Sequence, residues 1–132
     1  MVYEIEVPSK SHTQFIDITF KIREIVNKSG IVNGICCVYV PHTTAGVTIN
    51  ENADPDVVDD MIMELNKVVP FEDRYKHMEG NSAAHIKASL MGLSKNIIIN
   101  EGQLMLGTWQ GIYFTEFDGP RHRKVYIKII KG

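Results

Sequence analysis

Cysteine is nearly absent from this chain, which has only two cysteines among 132 residues. They are the neighbours Cys36 and Cys37, whose side chains would point to opposite faces of a strand, so a disulfide between them would be strained. We therefore expect two reduced thiols. This excludes a fold that is held together by disulfides.

An excess of positive charge is also missing. The chain has 14 Lys and Arg against 16 Asp and Glu, which gives a formal net charge of -2. Nonspecific binding to a nucleic acid duplex needs a dense set of cations that neutralise phosphates. We therefore expect no nucleic acid among the partners of this protein.

Long apolar runs are absent as well. The longest apolar stretches have the length of a strand, well short of the roughly 20 residues that cross a bilayer as a helix. The first ten residues alternate apolar and acidic side chains, unlike a signal peptide. The sequence predicts a cytoplasmic protein with no membrane partner.

The composition that remains is typical of a globular protein, with 44% hydrophobic and 23% charged residues. A chain of this length can bury one core of its own, and no repeat or low-complexity segment divides it. We expect a single domain that spans residues 1–132.

The hydrophobic periodicities predict a mixture of strands and helices. Helices are expected after the caps Asp17, Asp54 and Asn81 or Ser82, and they should end at Gly30, before Pro70 and at Gly92. Strands are expected at 3–7, 13–18, 31–40, 46–50, 96–100, 103–117 and 125–130, and the apolar run at 31–40 should be covered on both faces. The stretch at 103–117 should be broken by Gly107 and Gly111, since glycines inside a strand often mark a bulge or a close backbone approach. Since these elements follow no strict βαβ rhythm, the sequence predicts an α+β fold with a largely antiparallel sheet and three helices.

Three of the five histidines stand where a site could be assembled. His42 follows a predicted strand, His77 lies in the unpatterned segment 70–81, and His85 lies in the first turns of a predicted helix. Neutral imidazole is a common zinc ligand, and three such ligands plus a water make an open catalytic site. A lone histidine is more often a surface or hydrogen-bonded residue, so spacing alone leaves both interpretations open.

Several polar side chains accompany these histidines. The hydroxyls of Thr43 and Thr44 could hold a phosphate oxygen or only shape a turn. Glu51 has no capping role that we can assign, so it is a candidate general base or a partner of a ligand histidine. Asn81 stands one turn before His85 on the same helix face, although it could be only a cap.

Two segments near the C-terminus carry further candidates. Trp109 and Gln110 lie between two glycines, where they could form a wall for a heteroaromatic substrate or belong to the core. Asp118 and Arg121 share a turn, and the arginine is suited to bidentate contact with phosphate. A solvated turn without such a function is the alternative.

From Pro41 to Arg123 the chain resembles the YjbQ-like family, which is often labelled secondary thiamine-phosphate synthase. The resemblance rests on the strings HTTAGVTINENADPDV, YKHMEGN with its continuation SAAHIK, GQLMLGTWQGIY and EFDGPRHR. These strings occur in the expected order and cover most of the chain between those two residues.

The resemblance implies an antiparallel α+β fold, a homotrimer and a histidine-lined site. The expected ligands of a divalent metal are His42, His77 and His85. Zinc suits these imidazoles, and Mg²⁺ is the alternative for a pyrophosphate substrate. The motif positions also imply a catalytic set, Glu51, Asp118 and Arg121. They imply a substrate-binding set, Thr43, Thr44, Asn81, Trp109 and Gln110.

The family label implies the joining of a pyrimidine pyrophosphate to a thiazole phosphate with loss of pyrophosphate. A three-histidine site would suit metal-assisted hydrolysis equally well. A trimeric binding protein without turnover is a third alternative. The expected function is a metal-dependent enzyme for a small phosphorylated heteroaromatic metabolite, with thiamine-phosphate synthesis as the candidate reaction.

Overall fold

The computed structural model describes all 132 residues, which form eight strands and three helices. The strands are β1 (Val2–Pro8), β2 (Gln14–Asp17), β3 (Gly34–Tyr39), β4 (Ala45–Glu51), β5 (Ser94–Asn100), β6 (Gln103–Leu104), β7 (Gln110–Glu116) and β8 (His122–Lys131). The helices are α1 (Thr19–Ser29), α2 (Pro55–Val68) and α3 (Ser82–Met91). All strand pairs are antiparallel, so the predicted α+β fold is confirmed.

The strands belong to two sheets. The larger sheet has five strands in the order β1-β8-β3-β5-β6, and the smaller has three in the order β2-β7-β4. The turn at 117–121 leads from β7 in the small sheet directly to β8 in the large one. Residues of this turn therefore lie where the two sheets meet.

The main core lies between the two sheets and is closed by α1. The large sheet contributes the alternate, inward-facing residues of its strands, such as Val38 and Ile127, and the small sheet contributes Ile112 and Phe114. Helix α1 adds Ile22, which is fully buried. This arrangement follows from strands that alternate apolar and polar residues with period two.

The other face of the small sheet is covered by a helix. Ala84 and Ala88 of α3 form a second cluster with Phe117. Gly46 permits this close packing, because a Cβ there would lie 2.7 Å from the carbonyl oxygen of Gly92. None of the three helices has the length and the apolar composition needed to cross a membrane.

The helix boundaries follow local signals in the sequence. The Asp54 carboxylate accepts a hydrogen bond from the Asp56 N–H at 2.9 Å, as a helix cap does. Gly30 ends α1 in the left-handed conformation, with φ at 68°. Asp17 accepts from the Thr19 N–H at 2.9 Å, one position before the observed cap at Ile18.

The prediction that the run at 31–40 is covered on both faces is wrong for the single chain. The inner residues Cys36 and Val38 are fully buried, whereas the outer residue Ile35 is 44% exposed. Ile35 is paired with Ile98 on one side and with Ile130 on the other, and both are more than half exposed. The outer face of the large sheet thus carries a row of three exposed isoleucines.

The stretch at 103–117, predicted to be extended and broken by Gly107 and Gly111, is interrupted around Gly107, between β6 and β7. Within β7, Gly111 lies against the side chain of Asn52, whose Cγ would be 2.7 Å from an added Cβ. This confirms that the strand glycine marks a close approach.

A buried ion pair joins the two sheets next to the turn at 117–121. Glu116 at the end of β7 is 0% exposed, and Arg123 in β8 is 5% exposed. The Arg123 guanidinium donates from Nε to Glu116 Oε1 at 2.8 Å and from Nη2 to both Glu116 Oε2 and Thr44 Oγ1. The Ser9 hydroxyl donates to Glu116 Oε1 at 2.6 Å. Burial acts to raise the pKa of Glu116, but the hydrogen bonds from Arg123 and Ser9 outweigh it and hold the pKa below its ordinary value.

Loss of the Arg123 guanidinium should destabilise the fold strongly. Arg123→Ala leaves the Glu116 carboxylate buried without a cation, so we expect a loss of about 3–5 kcal/mol in the free energy of unfolding. Arg121→Ala is the matched control, because Arg121 pairs with Asp118 through a half-exposed side chain and should cost at most about 1 kcal/mol. Urea unfolding at neutral pH measures both, and equal losses would contradict the role of the buried pair.

Candidate functional site

A polar pocket of about 470 Å³ opens at the end of the small sheet where β4 begins and β7 ends. Eleven residues line it, and all except Pro41 are polar or charged. Eight of the sequence-predicted site residues are among them: His42, Thr43, Thr44, His77, Asn81, His85, Asp118 and Arg121. The other two polar lining residues are Glu79 and Arg123.

Four segments bring these side chains together. The stretch before β4 supplies His42, Thr43 and Thr44, and the turn between β7 and β8 supplies Asp118 and Arg121. The start of α3 and the loop before it supply His77, Glu79, Asn81 and His85, and β8 supplies Arg123. Because β4 and β7 are antiparallel neighbours with Ala45 opposite Glu116, the start of one strand meets the end of the other.

Asp118 organises the floor of the pocket. One carboxylate oxygen, Oδ2, accepts from Asn81 Nδ2 at 2.9 Å and from Arg121 Nη2 at 3.0 Å. Burial acts to raise the pKa of Asp118, but the hydrogen bonds from Asn81 and Arg121 outweigh it, so the pKa lies below its ordinary value. Asp118 is therefore ionised at neutral pH, and it holds Arg121 at the pocket.

Asn81 does more than start a helix. It occupies the cap position of α3, but its side chain makes no capping hydrogen bond and turns to Asp118 instead. Its carbonyl oxygen Oδ1 is buried and has no hydrogen-bond partner. Buried polar atoms are almost always paired, so this oxygen is an acceptor that a donor on a ligand or a water would satisfy.

His42 is a neutral imidazole, and one of its two ring nitrogens already accepts a hydrogen bond. Its Nε2 accepts a hydrogen bond from the Lys124 backbone N–H at 3.0 Å. Burial and then the charge of Arg123 lower the pKa of His42. A neutral ring that accepts at Nε2 carries its proton on Nδ1, so His42 can donate one hydrogen bond to a ligand.

His77 and His85 form a pair on the opposite side of the pocket. Their ring centroids are 5.6 Å apart, and the ring planes are at 85°. His77 belongs to the loop at 70–81, which Phe71 anchors through an edge contact with His12 and a 3.7 Å contact from Lys87 Nζ to its ring centroid. Imidazole nitrogens can donate or accept hydrogen bonds, so the pair can bind polar groups of a ligand.

The three histidines share the pocket but do not form a metal centre in this arrangement. No group of three or more His, Cys, Asp or Glu side chains has the spacing to hold a metal ion. The Nε2 lone pair of His42 points to the Lys124 N–H and not to the other two rings. The zinc site inferred from the resemblance stays a prediction.

Glu51, Trp109 and Gln110 lie outside this pocket, at the opposite end of the same strands. Glu51 is paired with Gln110, and the Asn52 N–H donates to the Trp109 carbonyl at 3.0 Å. The seven residues of β4 separate the two ends by about 20 Å. Within one chain, the indole, which is 63% exposed, cannot form the wall of the histidine pocket.

Sequence reasoning did not single out Ser9, Glu79, Glu116 and Arg123. Strand periodicity could have identified two of them. Arg123 is in phase with the inward-facing Val125 and Ile127, and Glu116 is in phase with Ile112 and Phe114. A charged residue at an inward-facing strand position indicates a buried partner of opposite charge.

The fold and the site define a class: a two-sheet α+β domain with a histidine-lined, largely polar pocket at one end of the smaller sheet. The profile of the family described as UPF0047 protein YjbQ-like matches residues 3–132. The chain belongs to this family, and the sequence resemblance is confirmed.

Relatives with nearly the same length support this assignment. The chain is 49% identical over 131 residues to the UPF0047 protein YugU of Bacillus subtilis, which covers 98% of this chain and 99% of the relative. It is 50% identical over 130 residues to a UPF0047 protein of Methanocaldococcus jannaschii, with coverage of 98% and 94%.

Solved structures agree with the fold. A YjbQ/UPF0047 family protein from Clostridium acetobutylicum has a TM-score of 0.96 at 60% identity, with coverage of 97% of this chain and 99% of that one. A YbjQ-like protein from Sulfolobus solfataricus also has a TM-score of 0.96, at 32% identity, with coverage of 100% and 97%. The fold is thus shared by chains of diverged sequence.

His42 should make stability depend on pH. Its pKa is lowered in the folded state, so the unfolded chain binds the proton first as the pH falls through about 6.5. Folded stability should fall across that range, and the loss should stop below the folded-state pKa. His42→Asn, which cannot titrate, should show a shallower decline between pH 7.5 and 5.5 in urea unfolding. His122→Asn changes an exposed histidine as the control, and a wild-type decline as shallow as that of His42→Asn would contradict this account.

Proposed function

We propose that this protein is an enzyme acting on a small phosphorylated metabolite, with thiamine-phosphate synthesis as the candidate reaction. The observation that carries the proposal is the pocket itself, with its arginines, histidines and threonine hydroxyls and no apolar lining apart from Pro41. Its volume of about 470 Å³ lies in the range of small-molecule sites. A pocket that is this polar favours a ligand with charged oxygens.

The hydrogen-bond donors that remain free in the pocket, and not a net positive charge, favour an anion. The Arg123 charge is balanced by Glu116, and Asp118 fixes Arg121 through Nε and Nη2. The Arg121 Nη1 amine is left for a ligand, together with the hydroxyl protons of Thr43 and Thr44. Charge-assisted hydrogen bonds of this kind bind phosphate oxygens.

The imidazoles supply a proton donor for the leaving group in this proposal. His77 and His85 line the pocket, and Glu79 lies in the loop that carries His77, so the departing pyrophosphate has candidate general acids beside it. In the synthase reaction, the bond from the pyrimidine methylene carbon to pyrophosphate breaks and a bond to the thiazole nitrogen forms. Arg121 and His42 would stabilise the departing pyrophosphate by hydrogen bonds.

A phosphate-ester hydrolase is the second candidate. Glu79 lines the same pocket as the two imidazoles, and its carboxylate could activate a water there for attack on a phosphate ester. A binding protein without turnover is the third. The same assay separates all three, because each predicts a different outcome.

The assay incubates the protein with the pyrimidine pyrophosphate and the thiazole phosphate, together and singly, and follows thiamine phosphate, pyrophosphate and free phosphate. We expect thiamine phosphate only with both substrates, and a loss of at least about tenfold in kcat/KM for Arg121→Ala or His77→Ala, since each removes about 1.4 kcal/mol or more. Release of free phosphate from a single substrate would contradict the synthase and indicate a hydrolase. Tight binding without any product would contradict both enzymes and indicate a binding protein.

Matched variants control this assay. Arg23→Ala and His122→Ala change an arginine and a histidine outside the pocket and should leave the rate unchanged. The resemblance adds a divalent metal on the histidines to the proposal, zinc before Mg²⁺, and His42 would have to give up its hydrogen bond from Lys124 to bind it through Nε2. The assay is therefore repeated after chelation and after zinc is restored. An unchanged rate after chelation would contradict the role of the metal. An unchanged rate in Arg121→Ala and His77→Ala would contradict the assignment of the activity to this pocket.

We also propose a homotrimer, as the resemblance implies, with the outer face of the large sheet as its contact. The row of Ile98, Ile35 and Ile130 is the supporting observation, because adjacent exposed isoleucines on a sheet mark an interaction surface. The two free cysteines fit a reducing compartment, so the cytoplasm is the proposed location.

Ile98→Glu should therefore dissociate the assembly. A carboxylate placed within an apolar contact loses its hydration without gaining a partner. Light scattering at micromolar concentration should give a trimer mass for the wild type and for Phe20→Glu, a control on the exposed side of α1, and a monomer mass for Ile98→Glu. A monomer mass for the wild type would contradict the trimer. A trimer mass for Ile98→Glu would contradict the assignment of the contact to the outer face of the large sheet.

A further inference from the structure

A second cavity adjoins the polar pocket on the far side of the two imidazoles. It has about 430 Å³ and is lined by Tyr75, Lys76, His77, Ser82, His85 and Ile86. His77 and His85 line both cavities, so the two form one cleft with a shared wall. We call the first cavity the polar lobe and the second the outer lobe.

The outer lobe offers flat and apolar surfaces that the polar lobe lacks. The Tyr75 hydroxyl donates to the Pro70 carbonyl oxygen at 2.6 Å, which fixes the ring and leaves its face as a wall. Ile86 on α3 is 41% exposed and faces the same cavity. With the imidazoles of His77 and His85, these side chains surround a space suited to a planar ring.

The sequence predicted an aromatic wall at Trp109, but that residue lies about 20 Å from the polar lobe along the strand. Tyr75 is the tyrosine that stands next to the histidine pair. A phosphorylated heterocycle has two parts, a charged group and a flat ring. The polar lobe has the hydrogen-bond donors that suit the charged group, and the outer lobe has the aromatic and apolar side chains that suit the ring.

We propose that the outer lobe is the ring-binding subsite of the cleft: the phosphate of the ligand occupies the polar lobe, and its heteroaromatic ring lies in the outer lobe between Tyr75 and Ile86. This inference rests on the proposed function and adds the ring specificity to it. Tyr75 and Ile86 are then specificity-determining residues, and they have no part in holding the phosphate.

Three probes test the subsite by calorimetry: inorganic phosphate, glycerol phosphate and a hydroxymethylpyrimidine phosphate. We expect the wild type to bind the pyrimidine ester about 3- to 10-fold more tightly than the glycerol ester, as aromatic stacking provides. Tyr75→Ala and Ile86→Ala should reduce that ratio towards one and leave the affinity for inorganic phosphate unchanged. Tyr75→Phe keeps the ring and should keep the ratio.

Leu90→Ala is the matched control for Ile86→Ala, because Leu90 is an exposed residue of the same helix outside the cleft. Equal affinity of the wild type for the two esters would overturn the ring subsite while leaving the phosphate site in place. A preference that survives both alanine variants would overturn the assignment to Tyr75 and Ile86. Failure of all three probes to bind would overturn the phosphate site and the subsite together.

Discussion

The buried ion pair between Glu116 and Arg123 is the interaction on which the site depends. Each member comes from a different sheet, and each is almost completely removed from water. Burial of two charges is tolerated only when their hydrogen bonds are satisfied, and Ser9 and Thr44 complete that set. The pair therefore fixes the edge at which the sheets meet, and with it the residues on either side.

The buried ion pair also positions the side chains that line the pocket. The Asp118 N–H donates to the second oxygen of Glu116 at 3.0 Å, and the Arg121 N–H donates to the Ser9 hydroxyl at 2.8 Å. The backbone of the turn is thus tied to the ion pair, while the side chains of Asp118 and Arg121 face the pocket. The charge of Arg123 is balanced by Glu116, and that of Arg121 is balanced by Asp118. The imidazoles and the Nη1 group of Arg121 therefore remain available to hydrogen-bond a ligand.

Much of the fold could be predicted because its signals are local. The cap at Asp54 and the left-handed Gly30 mark helix ends by short-range geometry, and the strands alternate with period two. The burial of both faces of β3 could not be predicted in the same way. Apolar residues on both faces of a strand do not say whether the second face meets the same chain, and here Ile35 remains exposed.

The site was predictable in part for a related reason. His42, Asn81 and Arg121 stood out as polar groups at the ends of elements, and they do converge. Glu51 and Trp109 stood out equally, but the motif order does not reveal that antiparallel pairing carries them to the other end of β4 and β7. Residue type can be read along the chain, whereas the register that decides which ends meet depends on tertiary structure.

The central claim is that the turn at 117–121, the stretch at 41–44 and the start of α3 form an anion site. Titration of ¹⁵N-labelled protein with inorganic pyrophosphate, followed by amide chemical shifts, tests it directly. We expect saturable shifts confined to these three segments, to the loop at 70–81 and to the neighbouring residues of β8, with none in the turn that carries Trp109. Shifts centred on Glu51 and Trp109, or no saturable shift at millimolar pyrophosphate, would contradict it.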